Sequence, residues 1–276
     1  SDAYFRLSDF QATLGSISAT VTMLVDCVDW TLSCVYGPQG EQDKLLFINE
    51  LRGLKHVVKP RWLILGDFNL ITKAADKNNQ NLNSRLIGSF RSALNHLELK
   101  EMRLSGRKFT WSNAQENPVL TKIDHFFRSD DWDELFPNAH LQAISSACSD
   151  HAPLLLLGDT EVRWRPSFKF EEFWLRLPGF KEAVAMAWNK PVQSTNAIRK
   201  IHIKLTRTAK ALKKWQRDTV GVLNTQIGIA KEVNWRLDMA EEGRSLSPAD
   251  LELRRRLKLS YLGLLSFRKV KLRQRA

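Results

Sequence analysis

The apolar residues of this chain change their spacing near residue 160, and that change restricts the folds open to it. Before residue 160, short apolar runs alternate with segments of helical spacing, whereas after it the apolar residues recur every three or four positions. The sequence therefore predicts an α/β domain over residues 1–160, followed by a helical extension over residues 161–276.

Two strands that form a hairpin are predicted near the beginning of the chain. From Ile17 to Val25, apolar residues occupy every second position, which is the spacing of a half-buried strand. A second strand runs from Thr31 to Tyr36 after a short turn and stops at Gly37. An antiparallel β-hairpin is the natural arrangement of these two strands.

A wholly apolar strand is predicted at residues 62–65, between two amphipathic helices. Apolar residues recur at helical spacing over residues 47–58 and again over residues 86–97. An entirely apolar strand is typical of the centre of a sheet. With further strands over residues 120–129 and 154–157, the pattern predicts a two-layered β-sandwich flanked by helices.

The extension carries two helical patterns. Apolar residues form heptad-like seams over residues 198–215 and 220–237, with a break near Gly221. The sequence Ser-Pro-Ala-Asp at residues 247–250 supplies an N-cap, a proline at the first helical position and an acid two positions later. These features predict a helical hairpin.

The basic charge of the chain is concentrated in the extension. The formal net charge is +12, yet residues 1–160 hold 16 Lys and Arg against 19 Asp and Glu, a net charge of −3. Residues 161–276 hold 26 Lys and Arg against 11 Asp and Glu, a net charge of +15. This distribution predicts that the extension attracts the phosphate backbone of DNA, although a basic helix face exposed only to solvent is an equal alternative.

Cysteine usage and hydropathy bear on the environment of the protein. Cys27, Cys34 and Cys148 are odd in number and have no CxxC partner, so we interpret them as reduced core thiols of an intracellular protein. The sequence contains neither an apolar run long enough to span a membrane nor a signal peptide. A nuclear location fits a DNA partner, but no sequence signal encodes it.

The first indication of a catalytic site is the sequence Gly-Asp-Phe-Asn at residues 66–69. The apolar strand ends there and places Asp67 and Asn69 at the rim of the sheet, where sites of α/β proteins are commonly built. A carboxylate at this rim can orient a water molecule, and an amide can donate to a phosphate oxygen. Taken alone, the same four residues are more often a simple turn.

Two other short motifs strengthen this interpretation. Asp150 and His151 precede the last apolar strand, and Asp124 lies within an earlier one. Asp150 can bind a divalent cation and His151 can contact a phosphate, while Asp124 is available to fix the tautomer of the histidine ring.

The order and spacing of these motifs resemble the endonuclease/exonuclease/phosphatase (DNase I-like) domain of plant LINE-type non-LTR retrotransposons. The resemblance covers about residues 15–160, and residues 168–178 with the following helices resemble the segment that such elements place before their reverse transcriptase. It rests on these motifs: Tyr36-Gly37-Pro38, Gly66-Asp67-Phe68-Asn69, Gly106-Arg107 with Phe109-Thr110-Trp111-Ser112-Asn113, Ile123-Asp124 and Ser149-Asp150-His151.

The resemblance implies a fold and a set of roles. The fold would be an incomplete DNase I-like four-layered α/β sandwich, followed by the basic helical hairpin. Asp67 would position the attacking water, Asn69 would hold the scissile phosphate, and Asp150 would bind Mg²⁺ or Mn²⁺. His151, oriented by Asp124, would contact the phosphate. Tyr36 would line the pocket, whereas we expect Trp111 in the core.

The resemblance also implies a metal-binding glutamate on an earlier strand, which this chain lacks. Its first glutamate is Glu41, which lies beyond Tyr36 and does not match that position. We therefore expect a chain without the first strands of the domain, and weakened metal binding. Catalysis is then weak or absent.

Three functions remain open from the sequence. The first is a Mg²⁺-dependent endonuclease that nicks DNA at the target site of a LINE-type element, in a degenerate or fragmentary copy. The second is a catalytically inactive remnant that binds nucleic acid without sequence preference through the basic helices. A lipid phosphoesterase is a third and weaker option, because the motif at residues 109–113 argues against it.

Overall fold

The computed structural model describes residues 4–115, 117–145, 149–158, 170, 174, 175 and 177–273, with the side chains of residues 220, 222–224 and 263–273 left out of the description. The chain divides into two compact units. The first contains residues 1–160 together with residues 238–246, and the second contains residues 161–237 and 247–276.

The first unit is a mixed α/β structure with helices α1 (Glu41–Gly53), α2 (Ser84–His96) and α3 (Asp130–Leu135). Its strands are β1 (Phe5–Ala12), β2 (Ser16–Met23), β3 (Asp29–Tyr36), β4 (Trp62–Asp67), β5 (Lys100–Glu101), β6 (Leu104–Ser105), β7 (Trp111–Ser112), β8 (Leu120–Thr121), β9 (Asp124–Arg128), β10 (His140–Ala143) and β11 (Leu154–Leu157). The predicted α/β class is confirmed.

Six strands form the principal sheet, in the order β1-β2-β3-β4-β9-β5. The predicted hairpin of β2 and β3 is present, with the two strands antiparallel. Strand β4 lies parallel to β3 and antiparallel to β9, so the apolar strand occupies the interior of the sheet as its composition predicts. Strands β11, β10 and β6 form a second sheet, and β7 pairs with β8.

Alternate residues of the principal sheet enter two different cores. On one face, Ile64 and Phe127 pack against buried residues of α1 and α2. On the other face, Leu63 and Phe126 pack with Leu141 of the second sheet. Because side chains alternate across a strand, one apolar run supplies both cores. The described residues thus form a helical layer, the principal sheet and the second sheet.

Strand β2 differs from its prediction. It ends at Met23, and Ile17 and Val25 are 56% and 86% exposed, although we expected them on a buried face. Polar side chains take part in the burial instead, because the hydroxyls of Ser18 and Ser33 share a hydrogen bond of 2.6 Å in the interior. A buried hydroxyl that makes a hydrogen bond costs little free energy of folding. The alternation of apolar residues therefore did not identify the buried positions of β2.

The second unit is helical. Its helices are α4 (Phe180–Trp188), α5 (Ala197–Gly243), whose last residues belong to the first unit, and α6 (Pro248–Arg273). An aromatic cluster of Trp174, Phe180 and Trp215 surrounds Leu212. The predicted start of α6 is confirmed by a reciprocal pair of hydrogen bonds between the backbone N–H groups and side chains at residues 247 and 250.

The predicted break near Gly221 is wrong, because α5 runs through it without interruption. A glycine inside a helix costs about 1 kcal/mol relative to alanine, which a helix of this length tolerates. The beginning of the first predicted seam is also not buried, since Ile198, Ile201 and Leu205 are 80%, 53% and 57% exposed. Within the second seam, the side chains of Val220 and Leu223 lie outside the described residues.

The remaining predictions concern the cysteines, the segment before α4 and membrane spans. Cys27 and Cys34 are free thiols but are exposed, so their assignment to the core is wrong, and Cys148 lies outside the described residues. Of residues 168–178, most also lie outside them. Among the described residues, no helix is long and apolar enough to cross a membrane.

Candidate active site

A polar groove of about 780 Å³ lies at one end of the principal sheet in the first unit. Tyr36 ends β3 and Asp67 ends β4, and the parallel register places these two residues side by side. The carboxyl ends of parallel neighbours meet at the same edge, which is why two motifs distant in sequence reach one groove. Asn69, Asp150 and His151 line it as well.

The turn after β4 fixes the direction of Asp67. Gly66 has a φ of 141°, and a Cβ at this position would lie 2.1 Å from the carbonyl oxygen of Val35, so only glycine fits. Asn69 adopts the left-handed region at a φ of 50°, which asparagine tolerates. Its backbone N–H donates to Oδ1 of Asp67 at 2.8 Å and holds that carboxylate in place.

Asp124 and His151 stand beside Asp67. Asp124 begins β9, and the antiparallel register pairs it directly with Asp67. Nδ1 of His151 lies 3.0 Å from Oδ2 of Asp124, so the hydrogen bond expected between them is present. Because a carboxylate accepts, Nδ1 donates and the Nε2 atom is directed elsewhere, lying 4.0 Å from Oδ2 of Asp67.

These three side chains fit a divalent cation. Ligand atoms of Asp67, Asp124 and His151 all lie within 4.8 Å of one another. Mg²⁺ in proteins commonly takes one or two carboxylates and keeps several water molecules, a demand that two neighbouring aspartates meet. Asp150, the residue to which we assigned the metal, lines the same groove but lies outside this group.

The carboxyl groups of the site differ in acidity. Burial raises the pKa of Asp67 above its ordinary value, and Asp124 raises it further, although the Asn69 N–H and His151 oppose the change. Burial also opposes ionisation of Asp150, but hydrogen bonds, chiefly from Trp111, and the charge of His151 outweigh it and leave the pKa of Asp150 below its ordinary value. Asp67 is therefore the more basic of the two carboxylates, as a general base requires.

Trp111 is part of the groove, and our expectation of a core tryptophan is wrong. Its Nε1 donates to Oδ2 of Asp150 at 2.9 Å, and the residue is only half-buried. The polar edge of the indole needs a partner, and a carboxylate at the rim provides one.

Asn69 and Tyr36 both line the groove, but the side-chain amide of Asn69 already makes hydrogen bonds within the protein. Both N–H bonds of the Asn69 amide are directed at protein acceptors, the Gly37 carbonyl at 2.8 Å and Asp67 at 3.3 Å. In this arrangement Asn69 braces Asp67, and its contact with phosphate remains a prediction. Tyr36 lines the groove with 70% of its surface exposed.

Sequence reasoning missed three charged residues of the groove. Glu41 and Lys44 come from the beginning of α1, and Lys77 follows the turn after β4. None of them belongs to a recognisable motif. The one available signal was position, because α1 directly follows the Tyr36 motif and its first turn has to start near that end of the sheet.

No protein-family model and no curated protein matches the sequence. Among solved structures, the chain is similar to the endonuclease domain of TRAS1, a telomere-specific non-LTR retrotransposon, at 12% identity and a TM-score of 0.46 over 57% of this chain and 70% of that one. It is also similar to the 3′ phosphatase NExo from Neisseria bound to a product DNA hairpin, at 19% identity and a TM-score of 0.44 over 56% and 72%. D. rerio TDP2 with a single-strand DNA product is similar at 12% identity and a TM-score of 0.38 over 55% and 68%. At these identities the similarity concerns the fold alone.

Proposed function

We propose that this protein is a metal-dependent phosphodiesterase that nicks DNA, with the groove at Asp67 as its active site. The hydrogen bond between Asp124 and His151 carries this proposal, because it directs the second ring nitrogen toward Asp67 inside the groove. A base, an oriented histidine and carboxylates around one cavity are the groups that hydrolysis of a phosphodiester needs. The motif shared with retrotransposon endonucleases, at residues 109–113, favours DNA as the substrate.

The residues have separate tasks in this proposal. Asp67, whose pKa is raised, orients a water molecule and takes its proton as the water attacks phosphorus. The bond from phosphorus to the 3′ oxygen breaks at the same time, and that oxygen leaves as a hydroxyl after taking a proton from solvent. With both ring nitrogens protonated, His151 donates a hydrogen bond from Nε2 to a phosphate oxygen and stabilises the charge that grows there. Asp124 holds the imidazole ring in place, and Asn69 braces Asp67 through its backbone and amide N–H groups.

A divalent cation completes the proposal. Asp124, with Asp150 at the rim, would hold Mg²⁺ or Mn²⁺, and the bound ion would supply Lewis-acid stabilisation of the phosphate charge. The glutamate expected from related sequences has no counterpart at the matching position in this chain.

The test is the nicking of supercoiled plasmid in Mg²⁺ and in Mn²⁺. We expect nicking by the wild-type protein that EDTA stops, and loss of nicking to background in His151→Ala and Asp67→Asn, since each removes a group that acts on the reacting atoms. Asp131→Asn, an exposed carboxylate at the start of α3, is the matched control and keeps the wild-type rate. Nicking that survives in both active-site variants excludes this groove as the active site.

A second candidate is DNA binding without catalysis. Residues 197–217 of α5 carry eight Lys and Arg and no acidic residue. Such a segment attracts polyanions without sequence preference. Salt-sensitive DNA binding together with no metal-dependent nicking is the result that favours this candidate.

A further inference from the structure

A half-buried lysine of the groove has no counter-ion among the residues that the structure describes. Lys44, in the first part of α1, lines the groove together with Asp67. Within the described residues, its ammonium group makes neither a hydrogen bond nor an ion pair. A charge that is partly withdrawn from water and unpaired costs free energy, and the binding of an anion removes that cost.

The neighbouring carboxylates are already engaged. Oε1 of Glu41 accepts a hydrogen bond of 2.8 Å from the amide of Asn83. Asp67 accepts from the backbone and the amide of Asn69. Both carboxylates act on Lys44 through space, and yet burial outweighs them and lowers the pKa of Lys44 below its ordinary value. In the described part of the chain, no carboxylate therefore forms an ion pair with Lys44.

Lys77 differs from Lys44, although both line the groove. Its Nζ donates to the carbonyl oxygen of Asn81 at 2.8 Å, which fixes its position. The positive charge of Lys77 lowers the pKa of Lys44, so the two ammonium groups repel each other within the groove. An anion bound between them relieves that repulsion and is held by charge-assisted hydrogen bonds.

We propose that Lys44 is a phosphate-binding residue, whose ammonium donates to a non-bridging oxygen of a nucleotide phosphate that enters the groove beside Asp67. The inference rests on the proposed function of the groove as a phosphoester site, but it does not require catalysis. A phosphate in this position faces Lys44 from α1 and His151 from the loop before β11. The protein thus provides positive charge from two separate elements.

The experiment measures the binding of thymidine 5′-monophosphate by NMR titration, with thymidine as the comparison without phosphate. We expect Lys44→Met to weaken nucleotide binding about tenfold, since a hydrogen bond to a charged group is removed. Lys44→Arg is expected to retain most of the affinity because it restores a cation. Lys73→Met is the control, as Lys73 is exposed and lies outside this groove. Lys44→Gln replaces Lys44→Met if the methionine variant does not fold.

The outcomes separate this inference from the proposed endonuclease. Equal nucleotide affinity in the wild type and in the folded Lys44 variant overturns the inference, whether or not the protein nicks DNA. Failure of the folded wild type to bind the nucleotide overturns it as well. Lys44-dependent binding without any nicking supports the inference and counts against the endonuclease.

Discussion

A buried histidine next to the active site shows how single residues support it. His125 is fully buried, and both of its ring nitrogens face acceptors. Nδ1 lies 2.7 Å from Oε1 of Glu101, and Nε2 lies 3.0 Å from the carbonyl oxygen of Leu70. Glu101 also accepts from Lys122 at 2.5 Å. These contacts tie β9 to the chain that follows Asp67.

Glu101 is expected to stabilise the fold strongly at neutral pH. Hydrogen bonds and charge from His125 and Lys122 outweigh the effect of burial, the largest single influence, and lower its pKa from 4.5 to about 2. A carboxyl with a lowered pKa stabilises the fold above the unfolded pKa and loses that contribution as the pH falls through the folded pKa. The shift corresponds to roughly 3 kcal/mol.

The measurement is urea unfolding of Glu101→Gln and the wild type as a function of pH. We expect the variant to lose about 3 kcal/mol of unfolding free energy at pH 7, since the buried side chains of Lys122 and His125 lose the carboxylate that they contact. The difference should shrink as the pH falls from about 4.5 to about 2. Glu98→Gln, which breaks an exposed pair with Lys55, serves as the control and should change little. A pH-independent difference contradicts the electrostatic explanation.

At the scale of elements, the loop between β6 and β7 holds the end of α5 within the first unit. Glu242 accepts hydrogen bonds from the backbone N–H groups of Lys108 and Phe109 and from Nε of Arg107. Nη1 of Arg107 also donates to Asp238 at 3.1 Å, and its side chain is only 7% exposed. The last turns of a helix that begins in the extension thereby complete the α/β unit.

Arg107→Met is expected to destabilise the first unit by about 3 kcal/mol, because it removes a nearly buried guanidinium that contacts both Asp238 and Glu242. Urea unfolding followed by tryptophan fluorescence measures this loss. Arg103→Met is the matched control, since Arg103 is an exposed arginine a few residues earlier. Equal loss in both variants indicates a general effect of removing positive charge and contradicts the specific role of Arg107.

At the scale of the whole molecule, the two parts of the sequence differ in charge. Residues 1–160 are net negative, while every charged residue in the segment 197–217 of α5 is a lysine or an arginine. Lys200, Lys210 and Lys214 are exposed there. Deleting residues 161–276 is a poor test of their role, because residues 238–246 belong to the first unit.

Point substitutions test the basic segment while leaving residues 238–246 in place. We expect changing Lys200, Lys210 and Lys214 together to Gln to weaken binding of random-sequence duplex DNA. The salt dependence of binding should also fall, by about one unit of slope for each phosphate that the protein no longer neutralises. Fluorescence anisotropy over a range of salt concentrations measures both effects. The control is a triple substitution to Gln that removes the same amount of charge from three exposed arginines of the first unit, Arg61, Arg85 and Arg91. Equal weakening by the two sets shows that net charge, rather than this segment, governs binding.

The sequence by itself determined the features that depend on near neighbours. The wholly apolar run predicted the interior strand β4, helical spacing predicted α1 and α2, and short-range hydrogen-bonding chemistry predicted the start of α6. The motif residues were also recognisable, because each motif is a few adjacent residues of distinctive chemistry. Periodicity and capping are local, so one sequence is enough to reveal them.

Only the tertiary structure decided which distant residues meet. Strand register placed Asp124 opposite Asp67, and the packing of α1 brought Lys44 into the same groove. The tertiary structure also buried Ser18 and left Ile17 exposed. Register and burial depend on what lies across from a residue, and a partner far along the chain leaves no trace in the local pattern from which secondary structure is predicted.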